Sequence, residues 1–145
     1  MVKGRTGERE SRDTSQRRAI REALEAADRP LSAAEILADA RTLAPGLGIA
    51  TVYRAVKRMK EEGALRQVDL PGDAPRYEPS GKGHHHHFHC RVCQRVFEVE
   101  ACPAGLQQLA PPGFAIETHE VILYGRCPSC LSIGRRQGRT GGRRR

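Results

Sequence analysis

No stretch of this chain approaches the roughly 18 consecutive apolar residues of a membrane-spanning helix, and its opening residues, MVKGRTGERESRD, lack the apolar run of a signal peptide. Those two absences read as a cytoplasmic protein with no membrane partner. No segment repeats, which sets aside solenoid and array architectures. No HExxH or comparable general-base pattern accompanies the histidines. A zinc hydrolase, with His and Cys holding a metal that keeps one position open, is therefore a minor alternative. The chain reads as a binding protein, not an enzyme, with no small-molecule substrate. At 145 residues it is one ordinary domain or two small ones, and small halves bury modest cores that lean on a metal or a partner chain.

What the chain has is concentrated. The formal charge is +8, but Arg135, Arg136, Arg139, Arg143, Arg144 and Arg145 all lie in the last eleven residues, and without those six it falls to +2. A local basic field favours a polyanion such as nucleic acid, although a charged tail is equally an ordinary solvated end.

The predicted fold class is α+β: a winged helix-turn-helix followed by a small α/β dimerisation domain. Residues 1–13 read as a flexible N-terminus. A first helix begins at Thr14 or Ser15, whose hydroxyl can cap it, and carries Ile20, Ala23, Leu24 and Ala27 at helical spacing. Ser32 opens a second helix with Glu35 three residues on, the pattern of a capping box. A third helix is predicted from Ile49 to Glu62, with Ile49, Val52, Val56 and Met59 facing inward and Gly63 at its C-terminus. The segment LRQVDLPGDAPRYE then reads as two short strands around a Pro-Gly-Asp turn, a wing. The DNA-binding half (14–78) ends near Glu78, a connector (79–83) follows, and composition changes at His84. In the second half (84–133) the pattern predicts strands over about His86–Arg91 and Arg95–Glu100, a short helix over Ala104–Ala110, and a longer strand or hairpin over Phe114–Tyr124. Residues 134–145 carry no large apolar side chain and read as a disordered basic tail.

The third helix turns Thr51, Tyr53, Arg54, Lys57, Arg58 and Lys60 away from its apolar face. Arginine reads guanine edges bidentately in a major groove, Thr and Tyr reach phosphates or thymine methyls, and lysine neutralises the backbone, so this surface suits double-stranded DNA. A merely solvated face is the plainer alternative.

Cys90-Arg-Val-Cys93 and Cys127-Pro-Ser-Cys130 form two C-x-x-C pairs. Each such turn presents two thiolates, so together they complete a tetrahedral structural zinc site. A redox dithiol pair lacks its βαβ context, and four buried free cysteines would leave the spacing a coincidence. In GHHHHFHC, strand alternation puts His84 and His86 on one face and His85, His87 and His89 on the other, so one strand can feed two metal sites. Imidazole suits Zn(II) and Fe(II) alike.

Three stretches, Gly48-Ile-Ala-Thr-Val-Tyr-Arg54, the His-rich run into Cys90-x-x-Cys93, and His119 through Leu123-Tyr-Gly-Arg-Cys127, resemble the ferric uptake regulator (Fur) superfamily, and the likeness covers about Thr14 to Ile133. The resemblance implies a homodimer paired through its C-terminal sheets and a zinc held by Cys90, Cys93, Cys127 and Cys130. It further implies a regulatory metal that locks the domains for operator binding, usually as corepressor of metal-uptake or homeostasis genes. Its regulatory site matches His84, His86 and His119, while its usual carboxylate falls at Gly105. Cys102 is the substitute favoured here, with Glu98 or Glu100 as alternatives. The family's interdomain site matches Glu78, His85 and His87, with Pro30 where a further histidine is expected. A thiolate among the regulatory ligands favours zinc over iron(II), pointing to a zinc-uptake (Zur-like) member. An iron- or peroxide-sensing relative is the alternative, and a zinc-knuckle interaction module is the reading from another class.

Overall fold

The structure is a computed structural model describing residues 5–137. The chain divides into two compact units between Gly83 and His84, each with its own three-stranded sheet. Among the described residues no helix is long and apolar enough to cross a membrane.

In the first unit the helices are α1 (Arg5–Ala26), α2 (Ala33–Ala40) and α3 (Ile49–Glu61), and the strands are β1 (Leu31–Ser32), β2 (Leu65–Val68) and β3 (Arg76–Pro79). Helix α1 starts well before the predicted Thr14. Apolar periodicity locates only the part of a helix that packs, whereas the polar run before Thr14 contains no proline and many good helix formers. Residues 1–4 lie outside the described residues. Ile20, Leu24, Leu31, Ile36, Leu47 and Val52 are fully buried in one core joining the three helices to β1 and β3. The sheet order is β1-β3-β2, all antiparallel, so the two-strand wing is pinned to the short strand leading into α2.

The capping box does more than start α2. Ser32 Oγ accepts from the Glu35 amide at 3.3 Å while Glu35 Oε2 accepts from the Ser32 amide at 2.9 Å. The same carboxylate accepts from Arg29 at 2.8 Å and from Arg76, on β3, at 2.6 Å. Arg76 is buried and also donates to Asp73, in the wing turn, at 2.9 Å. One buried guanidinium thus ties the wing to the N-terminus of α2. Burial raises the Glu35 carboxyl, but the Ser32 amide and the charges of Arg29 and Arg76 outweigh it and leave the group below its ordinary value. Because the folded value is the lower one, this stabilisation is complete above the ordinary carboxylate range and is lost as pH falls through the folded value. Arg76→Ala should lower the stability of the first unit by about 3 kcal/mol, the low end for a broken buried pair because Arg29 still holds Glu35. Urea unfolding followed by the helical circular dichroism signal measures this, and an unchanged midpoint would mean that the wing is held by its apolar contacts alone.

In the second unit β4 (His86–Cys90) is the central strand, antiparallel to β5 (Val96–Val99) and parallel to β6 (Ile122–Gly125). A Cβ at Gly125 would meet Phe88 Cζ at 2.9 Å, so any larger residue there would require the ring to shift. The predicted helix at Ala104–Ala110 is a single 3-10 turn, Leu106–Leu109, led by Gly105 at φ +80. A left-handed residue cannot continue an α-helix, and the turn buries no side chain that would lengthen it. Of the predicted strand from Phe114 to Tyr124, the structure pairs only the end. Strands exist by their ladder partners, and among the described residues 114–121 have no neighbouring strand. The last helix, α4 (Pro128–Gln137), was not predicted. It begins inside the second C-x-x-C turn, with Pro128 at the first helical position where a missing N–H costs nothing, and it carries residues 134–137 of the predicted disordered tail. Residues 138–145 lie outside the described residues.

Candidate metal centres and basic helix

The hairpin between β4 and β5 is the first knuckle. Gln94, at φ +59, turns the chain, the Gln94 amide donates to the Cys90 carbonyl at 2.9 Å, and the Cys90 amide donates to Arg95 at 2.9 Å. The parallel pairing of β6 with β4 sets Gly125 beside Cys90, so the chain leaving β6 brings the second knuckle to the first. The sulfurs of Cys90, Cys93, Cys127 and Cys130 all lie within 4.8 Å of one another. The Cys93 and Cys127 sulfurs are 3.8 Å apart, which matches tetrahedral zinc, whose Zn–S distance of about 2.3 Å separates its thiolates by about 3.8 Å.

The electrostatics fit a cation there. The amides of Cys93, Cys127 and Val92 pull the Cys90 thiol down to about 6, and the Cys127 amide donates to its sulfur at 3.3 Å. Burial and then the neighbouring sulfurs push Cys130 up to about 12. Four thiolates packed this closely repel one another, and a divalent cation removes that repulsion.

The second cluster is His84, His86, Cys102 and His119, with ligand atoms again within 4.8 Å of one another. His84 Nε2 and His119 Nε2 are 3.0 Å apart, and Cys102 Sγ is 3.1 Å from the same His119 nitrogen. His86 is buried; the Val121 amide donates to its Nδ1 at 3.2 Å, and its Nε2 has no hydrogen-bond partner among the described residues. A buried polar atom of this kind is one a cation satisfies. Burial, then the positive charge that His84, His119, His87 and His85 can carry, lowers the basicity of His86 and holds it in the neutral form a metal needs. Three imidazoles and a thiol form a donor set suited to a borderline divalent metal.

Of the three candidates for the fourth ligand, the structure brings only Cys102 to this cluster. Glu98 lies directly opposite His87 in the β4–β5 ladder, hence on the other face of the sheet, and Glu100 is exposed beyond the end of β5. Gly105 itself lies in the left-handed conformation, which favours glycine over a residue with a side chain.

His85 and His87 lie on that opposite face, both buried, with ring centroids 5.1 Å apart. His89 joins neither cluster; its Nε2 is 3.0 Å from Gln94 Oε1, and its ring lies beside Tyr124. In the first unit, Glu78 is fully buried on β3, where it pairs with Arg66, its cross-strand partner on β2. Pro30 is buried just before β1.

On α3, Val52, Ala55, Val56 and Met59 are buried, whereas Ile49, expected to face inward, is exposed because it starts the first turn ahead of the packed stretch, and Tyr53, Arg54, Lys57, Arg58 and Lys60 are exposed. Thr51 is half-buried and accepts from Arg54 at 3.1 Å. Arg58 pairs with Glu62 at 2.7 Å, while Lys57 sits 3.9 Å from Glu61. Such exposed pairs one turn apart hold little energy.

This arrangement has known counterparts. The family model described as "Ferric uptake regulator family" matches residues 8–124. A ferric uptake regulation protein of Campylobacter upsaliensis is 34% identical over 87 residues, covering 58% of this chain and 56% of that protein, so the match spans little more than half of the relative's length. A solved zinc-bound manganese uptake regulator matches 81% of this chain and 97% of its own at 25% identity, with a TM-score of 0.68. A zinc uptake regulator solved with zinc and DNA is 25% identical over 83% of each chain, with a TM-score of 0.50. A family model that takes in the basic helix, the wing and the histidine run, together with the fold shared with these regulators, settles the matter: the chain belongs to the ferric uptake regulator family.

Proposed function

We propose that the chain is a metal-dependent transcriptional regulator, a homodimer that binds operator DNA through α3 when zinc occupies the cluster of His84, His86, Cys102 and His119. Cys90, Cys93, Cys127 and Cys130 would hold a separate structural zinc, and His85 and His87, with Glu78 by family resemblance, a further divalent cation. The observation that carries the zinc reading is the thiol of Cys102, 3.1 Å from His119, in an otherwise imidazole cluster. Sulfur is the softer donor and raises affinity for zinc over iron(II). The iron-sensing alternative draws its support from the relatives whose names specify ferric uptake. Leu123 and Tyr124 support the dimer: they are half exposed on β6, the edge strand of the second sheet, where another copy would cover them.

In this reading the metal supplies positive charge and fixed coordination geometry, and no bond of the DNA is made or broken. The protein's own groups do the recognition. Arg54 offers a planar fork to a base edge, Lys57 a point charge to phosphate, and Tyr53 an exposed hydroxyl. Metal and DNA then favour one another's binding by the same factor.

DNA binding titrated against buffered free zinc and free iron(II), with metal content per chain measured alongside, tests the proposal. Binding that rises with zinc supports it; binding indifferent to both metals would reduce the chain to a zinc-knuckle module. Arg54→Ala should relax base preference at one position by about 1–3 kcal/mol. Lys57→Ala should weaken all sequences alike and reduce the salt slope by about one. If neither substitution alters operator binding, α3 is not the reading helix.

A further inference from the structure

We infer that Ile49 is a specificity-determining residue of the DNA interface, its side chain packing against the C5-methyl group of a thymine in the major groove. The inference rests on the proposed reading that α3 enters operator DNA, and it adds an apolar base contact to the charged ones already assigned to that helix.

The observation is an exposed apolar side chain where helical spacing predicts a buried one. Val52, Val56 and Met59 form the inward stripe of α3, whereas Ile49, at the head of the helix, is 40% exposed. Residues four apart share a helix face, so Ile49 heads the row that continues through the exposed Tyr53 and Lys57. Ala50 beside it is exposed too, and the hydroxyl of the half-buried Thr51 already accepts from Arg54 at 3.1 Å. The first turn of α3 therefore presents Ile49 and Ala50 outward, both apolar. Nothing among the described residues stands in front of them. Gly48 caps the helix without a side chain, and a Cβ at Gly46 or Gly48 would meet no atom within 4 Å.

Chemistry identifies what this turn can read. A recognition helix meets base edges with its N-terminal residues. Of the groups that base pairs present in the major groove, the thymine methyl is the apolar one, and the others are hydrogen-bond donors and acceptors that an isoleucine leaves unpaired. Ile49 thus favours thymine both by burying its methyl and by desolvating the amino group of a cytosine in its place. Arg54 and Lys57, exposed on the turns that follow, supply the charge that holds a polyanion against this patch. A single exposed isoleucine needs no function of its own. Here, however, two adjoining apolar side chains occupy the turn from which base edges are read.

Uracil lacks only the methyl of thymine, so replacing single thymines reads the contact directly. The full-length parent, supplied with zinc or with iron(II), first selects an operator from a random duplex pool, and each thymine of that duplex is then exchanged in turn for deoxyuridine. At a single thymine for each bound α3 the exchange should weaken the parent about fourfold, the worth of one buried methyl, and leave Ile49→Ala unchanged. Ile49→Ala should itself bind the thymine operator at least about fourfold more weakly, with the salt slope of the parent because no charge is removed. Ile49→Val, which keeps the β-branch, takes its place should Ile49→Ala lose helical signal, with a uracil penalty smaller than the parent's. If no thymine position penalises the parent more than the variant, the methyl is not met by Ile49, and the inference is overturned while α3 keeps its role. If the parent selects no sequence, or if Arg54→Ala and Lys57→Ala select and bind as the parent does, the reading of α3 fails, and the inference with it.

Discussion

Cys93→Ser should abolish the tightly held zinc, the folded second unit and the dimer together, while the helices of the first unit remain. The four thiolates cluster within 4.8 Å, and zinc bound by such knuckles contributes an apparent free energy of about 10–16 kcal/mol, comparable with the whole stability of a small domain. The buried residues around this site are few, chiefly the cysteines themselves with Phe88 and Phe97 against them, so no separate apolar core replaces the metal. Cys93 is the informative position because it is exposed, unlike Cys90, Cys127 and Cys130. A serine there opens no cavity, and the result isolates ligation. Zinc per chain by atomic emission and mass by size exclusion are the measurements. A Cys93→Ser protein that keeps its zinc and remains dimeric would refute the four-cysteine site.

Cys102→Ala should have the opposite profile: zinc retained at the four cysteines, dimer intact, helical content unchanged, but free zinc for operator binding raised by about 100-fold or more. Cys102 is exposed and makes no core contact, so truncating it costs little stability. Its sulfur is nevertheless 3.1 Å from His119 Nε2, inside the cluster with His84 and His86. Removing a direct ligand costs at least as much as removing an outer partner, for which 10- to 100-fold is usual. Protons compete with metal for the thiol and the imidazoles, so zinc at this cluster should also be released first as pH falls below neutral. A buffered-zinc titration of DNA binding reads both effects. If Cys102→Ala responds to zinc as the parent does, the thiol is a bystander and the reason for preferring zinc disappears with it. A parent that answers iron(II) and not zinc would remove the zinc reading and leave the family membership unaffected.

What could be read directly from the residues was local. Ser32 and Glu35 are three apart, and a capping box needs nothing further to form. Val52, Val56 and Met59 recur at helical spacing, so the basic side of α3 follows from the sequence itself. The C-x-x-C pairs and the alternating histidines carry their donor geometry within a few residues, and the short-range periodicity of a strand divides the histidine run between two faces. Tertiary structure decided whatever depends on residues distant in sequence. The parallel pairing of β6 with β4 is what carries His119 to His84 and His86, and no pattern within Phe114–Tyr124 indicates which part of that segment finds a ladder partner. Arg76 reads as one more wing arginine until the fold buries it against Glu35, 41 residues away in sequence. Helix caps and side-chain periods are set by bonds between neighbours, whereas strand pairing and buried charge are set by which distant surfaces close together, and that selection belongs to the fold as a whole.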